Sequence, residues 1–477
     1  SAVSSNSLKS SLLQLECHFT WTLLKQDVDL DDLQETINDQ IEFYTEFNIR
    51  NYNLLSYVCH LNNSNEEALR SLQKAEELVK KNHPDEIAKK SLVSWGNYAW
   101  IYYHMKRYEE AQVYVSKVEN SYKMLSSTPQ GKIQLSDIYA EQGWALLKFG
   151  GKYYEKAKNC FEKVLKDEPN NPEFNTGYAI VMYRLEDFSR QRCEDVNLSI
   201  EPLKHAVKLN PKDTFIMALL ALKLQDLNQV DEGERYIEAA MQKTPDLPYF
   251  LRYAAKFYRR KGEVDKAIET LKKALAVTPK SVFLHHQLGL CYREKLSQLK
   301  KTTRYPPQEQ VEELIRLCIF HFETVTNQRT KFFYAHIDLA NMYAQAKRYE
   351  EADEMFQKAF QINILSYDNK QLLYYYYGNF LHFHRKSESE AIKYYMKGLE
   401  IEKESYGRSK CMDALKKLLK QRIQRGLGDA AEFGTLGLIH HLNGEKHEAI
   451  ECYEKALALY PDNEEYLSAL CELRLSI

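Results

Sequence analysis

Residues Tyr249 to Pro279 read YFLRYAAKFYRRKGEVDKAIETLKKALAVTP, and this stretch decides the fold. Ala255, Ala267 and Ala274 follow one another at intervals of 12 and 7 residues, and Pro279 comes 5 residues later. The same ladder stands 34 residues earlier as Ala221, Gly233, Ala240 and Pro245, and again near the end as Gly437, Ala449, Ala456 and Pro461. Ala145, Ala157, Val164 and Pro169 keep its frame, and Ala340, Ala352 and Ala359 keep it without the proline. Ser56, Ala68 and Ala75 fit, as do Ala99 and Ala111. Degenerate copies surround Ala179, closing on Ala206 and Pro211, and also Gly289 and Gly378, for about ten units in all.

The period and the small residues are those of the tetratricopeptide repeat (TPR), a pair of antiparallel helices. Small side chains let the two helices, and then the next repeat, approach closely; proline ends the second helix because it has no N–H to give the ladder. The expected fold is all-α, a TPR superhelix with an internal groove lined by the first helix of each repeat. At about 150 residues per domain the 477 residues would suggest roughly three domains. We divide the chain at 1–245, 246–409 and 410–477, with a groove cluster at 249–293. The period breaks at Glu186–Ser199, at Leu296–Glu309 and at the basic stretch Lys410–Arg425, which is long enough for a helix outside the repeats.

Composition agrees. Gly (17) and Pro (12) are scarce, which disfavours turn-rich β folds, and 28% charged residues spread along the chain leave no low-complexity tract. Lys and Arg (65) nearly balance Asp and Glu (67), so any nucleic-acid binding must come from a local patch. Nine cysteines without a CxxC pair indicate neither a disulfide framework nor a zinc site, and point to a reducing compartment. No apolar run is long enough to span a membrane, and the N-terminus shows no signal-peptide core.

Counting the repeat register places Tyr249, Arg252, Tyr253, Lys256, Arg259 and Arg260 toward the groove, with no acid among them. The next copy adds Phe283, His286, Gln287, Leu290 and Arg293; other copies add Tyr183, Arg184, Tyr334, Asn341 and Lys148 beside Trp144. Cations interleaved with rings suit a single-stranded nucleic acid, whose phosphates need neutralising and whose unpaired bases stack. Tyrosine and phenylalanine also serve as repeat packing, so a peptide-binding scaffold stands as the alternative. No P-loop, GxSxG or HExxH occurs, and Phe149-Gly150-Gly151-Lys152 reads as a turn between helices, so no enzyme chemistry is expected. The adjacent pairs His285-His286 and His440-His441 point about 100° apart on a helix and do not make a metal site.

Longer landmarks carry a family resemblance: Cys17-His18-Phe19-Thr20-Trp21, Ser94-Trp95-Gly96-Asn97-Tyr98-Ala99-Trp100, Gly143-Trp144-Ala145-Leu146-Leu147-Lys148, Arg252–Lys261 and Leu284–Tyr292. Together they resemble the interferon-induced proteins with tetratricopeptide repeats along essentially the whole chain, and Ala469–Ile477 resembles the fifth human member in particular. The resemblance implies a cytoplasmic antiviral effector without enzymatic activity that sequesters single-stranded RNA by its 5′-triphosphate or other 5′-phosphorylated end, independently of sequence. Other proteins of the family are implied as further partners. The phosphate group would meet Thr36, Gln40, Lys148, Arg184, Tyr249, Arg252 and Tyr253. Tyr154, Arg259, His286, Gln287, Phe332 and Tyr334 would contact the RNA further along, and Lys416, Lys417, Lys420 and Arg422 would form a basic wall. No cofactor is required; Mg²⁺ at the RNA phosphates would meet Asp32, which stands where the family has Glu, and a shorter carboxylate reaches a metal through water. Tyr44 replaces a family Leu of the cap pocket while Trp144 and Ile180 match it, so recognition of a cap lacking ribose methylation stays open beside the triphosphate.

Overall fold

The computed structural model describes residues 4–43, 48–127, 131–191 and 197–477. Tyr44, Cys193 and residues 192–196 of the first insertion lie outside them. Among the described residues there are 24 α-helices and no strand. The expected repeat is the unit of construction. Consecutive helices pair as hairpins at 48–61 with 65–82, 87–104 with 108–126, 131–148 with 154–167, 214–226 with 230–243, and 248–261 with 264–277. Further on they pair at 333–345 with 349–360, 367–383 with 388–400, and 430–442 with 446–459.

The small residues sit where the steric argument puts them. Ala221, Ala240, Ala267, Ala274, Ala449 and Ala456 are wholly buried. A Cβ on Gly233 would lie 2.8 Å from the Ala221 carbonyl oxygen, so the two helices of that hairpin touch backbone to side chain with no room for a methyl. Helix Val264–Val277 ends just before Pro279. The hairpin turns share one device. Asn63, Lys106, Asn228, Gly262, Lys347 and Gly444 adopt left-handed backbone angles, φ from 60° to 94°. The next amide then reaches back to a carbonyl of the last helical turn: Arg107 N to Tyr102 O at 2.9 Å, Arg348 N to Tyr343 O at 2.8 Å, Glu263 N to Tyr258 O at 2.9 Å. This Schellman closure satisfies carbonyls a helix end would otherwise leave open.

The chain forms two compact units, one of residues 1–190, 195–307 and 327–330, the other of 191–194, 308–326 and 331–477. The sequence-based division at 245 and 409 does not coincide with this. Helix Pro248–Lys261 packs on helix Thr214–Asp226, so repeat stacking runs through 245 without a break. The described parts of the period-breaking segments mostly extend or form helices. The copies at Ala179 and Gly289 extend their first helices to 20 and 21 residues, and Lys410–Arg425 belongs to helix Tyr406–Gln424, which packs on the hairpin 367–400. In the first insertion the buried Glu186 carboxylate accepts from Leu198 N (3.2 Å), Ser199 N (3.0 Å) and Ser199 Oγ (2.6 Å) and pairs with buried Lys223, fastening the segment to the next repeat.

Candidate nucleic-acid interface

The first unit holds a cavity of roughly 790 Å³, its open mouth included, among helices that start as far apart as residues 30 and 248. Gln40, Lys148, Arg184 and Tyr249 line it, together with Arg50, Glu141, Trp144, Ile180 and Phe215. A second recess of about 470 Å³ shares Tyr249 and adds Thr36, Asp39, Arg252 and Phe283. Thus six of the seven residues assigned to the phosphate, Thr36, Gln40, Lys148, Arg184, Tyr249 and Arg252, border two hollows that share Tyr249.

Lys148 ends its helix half-buried, bordering the cavity. Burial pushes its pKa well below the ordinary lysine value, and Arg184, Arg50 and Arg252 push the same way. The charges that bear most on it are positive. Arg184 is half-buried too, with the phenols of Tyr154, Tyr253 and Tyr249 acting on it and Tyr154 hydrogen-bonded to it. Tyr249 is held by Gln40, which fixes the ring in the shared wall. Arg252 stacks on Phe283, its guanidinium carbon 3.4 Å from the ring centroid, and lies 5.2 Å from the Tyr253 ring. Further along the same helix, burial lowers Lys256 to about 8, with Arg260 adding to the effect, and burial also lowers Arg259, whose Nε has no protein partner. His286 is buried and Gln287 half-buried on the next repeat.

Deeper in the cavity the walls turn apolar, but polar atoms interrupt them. His18 is wholly buried; its Nδ1 accepts from Asn97 Nδ2 at 3.0 Å, so Nε2 carries the proton, and burial drives its pKa to about 3. His18 Nε2, Trp144 Nε1 and Thr176 Oγ1 are buried without a protein hydrogen-bond partner, and all three residues line the cavity. Buried donors of this kind call for a partner, whether water or a bound group. Glu141 closes the chamber; burial raises it to about 7 although Asn53 donates to it at 2.9 Å.

The repeat register did not anticipate the acids. Helix Leu30–Phe43, which belongs to no repeat, brings Asp32 and Asp39 into electrostatic range of Arg252. Asp32 faces Arg329 Nε at 3.7 Å, and Arg329 also pairs with Glu35. Among the described residues no three His, Cys, Asp or Glu side chains stand together as metal ligands, so the protein alone does not build an ion site around Asp32. The remaining predicted contacts belong to the second unit. Phe332 caps helix Phe333–Gln345, and Tyr334 is exposed, its hydroxyl donating to Asn369 at 3.2 Å. Lys417 and Lys420 are exposed on helix Tyr406–Gln424, whereas Lys416 is paired with Glu445 (3.0 Å) and Arg422 with Glu388 and Glu432 (2.7 Å each). Arg422 therefore ties three helices together.

Residues 92–120, 219–282, 337–364 and 430–463 match the tetratricopeptide repeat family, so hairpins and cavity together define a TPR protein whose inner face is cationic. The chain is 48% identical to human Protein IFIT1 homolog B, over 95% of its length and 97% of that protein, and 40% identical to human interferon-induced protein with tetratricopeptide repeats 2 over 95% and 96%. It belongs to the family of interferon-induced proteins with tetratricopeptide repeats. Among solved structures, the human IFIT1 dimer with m7Gppp-AAAA is 46% identical with a TM-score of 0.85, and the human IFIT1 dimer with PPP-AAAA is 45% identical with a TM-score of 0.81; each covers 95% of this chain and 100% of that one.

Proposed function

We propose that this protein binds single-stranded RNA by its 5′-phosphorylated end, the 5′-triphosphate above all, and so withholds foreign RNA from use as part of innate antiviral defence in the cytoplasm. The observation that carries this reading is Lys148: a half-buried ammonium that borders one cavity with Arg184 and Arg50, and whose charge Arg184, Arg50 and Arg252 all disfavour. Such a group is unfavourable alone and favourable beside a polyanion. Lys148 and Arg184 would take the terminal phosphates, with Arg252, Gln40, Thr36, Tyr249 and Tyr253 around them. Tyr154, Arg259, His286 and Gln287 would meet the following nucleotides, Phe332 and Tyr334 would stack on the strand, and Lys416, Lys417, Lys420 and Arg422 would supply the outer basic wall. Contacts of this kind are to phosphate and ring faces, which makes binding independent of sequence and needs no catalysis. The PPP-AAAA and m7Gppp-AAAA complexes of IFIT1 support the RNA end as ligand, and their dimers support family members as partners. No cofactor is required; a Mg²⁺ carried in on the phosphates would meet Asp32 only in competition with Arg329.

The test is one RNA oligomer carrying 5′-OH, monophosphate, triphosphate or cap, titrated at several salt concentrations. Affinity should rise with the charge of the end and fall steeply with salt. Binding that ignores the 5′ end would refute the reading and favour a peptide groove.

A further inference from the structure

The cavity holds one contact that phosphate binding does not use. Arg50 stands in the first turn of helix Asn48–Leu61, and its guanidinium carbon lies 4.2 Å from the centroid of the Trp144 ring. Its Nη1 donates to Glu173 Oε1 at 2.6 Å, with the arginine side chain only 18% exposed. Glu141 adds a second carboxylate in electrostatic range. Trp144 is further enclosed by Phe161, which meets it edge to face at 5.3 Å. Arg50, Trp144 and Ile180 all border the same cavity as Lys148.

A guanidinium is planar and stacks on an aromatic ring much as a nucleobase does. The face of Trp144 is therefore already taken by a group of the protein itself. Any base entering the chamber to stack there must lift Arg50 away, which also separates it from Glu173 in a partly dehydrated site. Separating the pair costs less than for a fully buried one, since the Glu173 side chain is 39% exposed, but it still takes a partner from each charge. A positively charged base would in addition compete with Arg50 for Glu173 and Glu141. A bare triphosphate asks for none of this, since its charges end at Lys148 and Arg184.

We propose that Arg50 is a specificity residue that covers Trp144 and closes the chamber to an additional nucleoside, so that the site takes RNA ending in a triphosphate and disfavours RNA capped through a 5′–5′ triphosphate bridge. The proposal rests on the RNA-end reading above. It also accounts for Trp144 and Ile180 being present without making this chain a cap binder: the stacking wall exists, and a side chain covers it. With Arg50 removed, the ring face would be open beside Trp144 Nε1 and Thr176 Oγ1, two donors suited to the acceptor atoms of a base.

The experiment uses the full chain and three probes, PPP-AAAA, Gppp-AAAA and m7Gppp-AAAA, with HO-AAAA as reference. Arg50→Ala should raise the ratio of capped to triphosphate affinity about tenfold or more, within the range that stacking of one base on an aromatic ring supplies. Glu173→Gln, which keeps the side-chain volume but loosens the clamp, should shift the ratio the same way by less. Adding Trp144→Leu to Arg50→Ala should remove the gain. A ratio unchanged in both single variants overturns the proposal, as does a gain that survives loss of Trp144. If Arg50→Ala melts early, Glu173→Gln decides alone. If the unaltered protein binds PPP-AAAA no better than HO-AAAA, the RNA-end reading itself has failed and the role of Arg50 falls with it.

Discussion

Replacing Lys148 with methionine should weaken binding of 5′-triphosphate RNA severely while leaving the free protein as stable as before, or more so. The two signs are opposite for one reason. In the free protein the ammonium is partly buried, and Arg184, Arg50 and Arg252 all act to disfavour its charge. Methionine matches the length of the stem and carries no charge, so it removes that repulsion and the cost of burial while keeping the packing. With RNA bound, the same ammonium makes a charge-assisted contact to phosphate worth about 1.5–3 kcal/mol, and its loss corresponds to a fall in affinity of roughly 10- to 150-fold. Calorimetric melting of the free variant and titration with PPP-AAAA measure the two effects on the same preparation. A variant that melts several degrees lower, with RNA affinity unchanged, would show Lys148 to be a structural residue and refute the reasoning.

Raising the pH from about 6 to about 9 should weaken anion binding in two steps, because Glu141 gains charge through about 7 and Lys256 loses it through about 8. The sign for stability follows from the same shift. Glu141 has a folded pKa above its ordinary value, so its contribution to stability is present below the ordinary carboxylate range and is lost as pH rises through about 7; Glu141→Gln should flatten that part of the melting profile. Lys223→Met removes the Lys223 counter-charge from the buried Glu186 carboxylate and should destabilise the protein by about 3–5 kcal/mol in denaturant titration. Lys106→Gly and Lys347→Gly should each stabilise by about 0.5–1 kcal/mol, since a lysine at φ near 60° is strained where glycine is not. A blunt duplex bearing 5′-triphosphates should bind weakly and recover with an unpaired 5′ overhang of about three to five nucleotides, and equal affinity for both would refute a site restricted to single strands.

The repeat architecture was legible because it is periodic. Ala221, Gly233, Ala255 and Ala267 announce themselves by interval, and the groove positions of helix Pro248–Lys261 follow from counting. What lies outside the period was not legible. Asp32 and Asp39 reach Arg252 from helix Leu30–Phe43, which has no repeat frame to give its facing. Arg50 was not legible either, since nothing in sequence spacing connects it to Trp144 or to Glu173. The pairing of Arg422 with Glu388 and Glu432 was hidden for a similar reason: a run of basic residues reads as a surface until the opposing acids, from other helices, are placed.

Gln40, Lys148, Arg184 and Tyr249 come from four different helices spread over more than two hundred residues, yet they border one cavity. In a stack of hairpins each unit otherwise touches little beyond its neighbours, so fraying at one end costs the rest of the chain little. A polyanion seated on all four would act as a non-covalent cross-link between distant hairpins. Through mass action it would add about 2.7 kcal/mol to the folded state when present at 100 times its dissociation constant. The protein loaded with RNA should then resist protease and heat as a block, where the empty protein yields repeat by repeat.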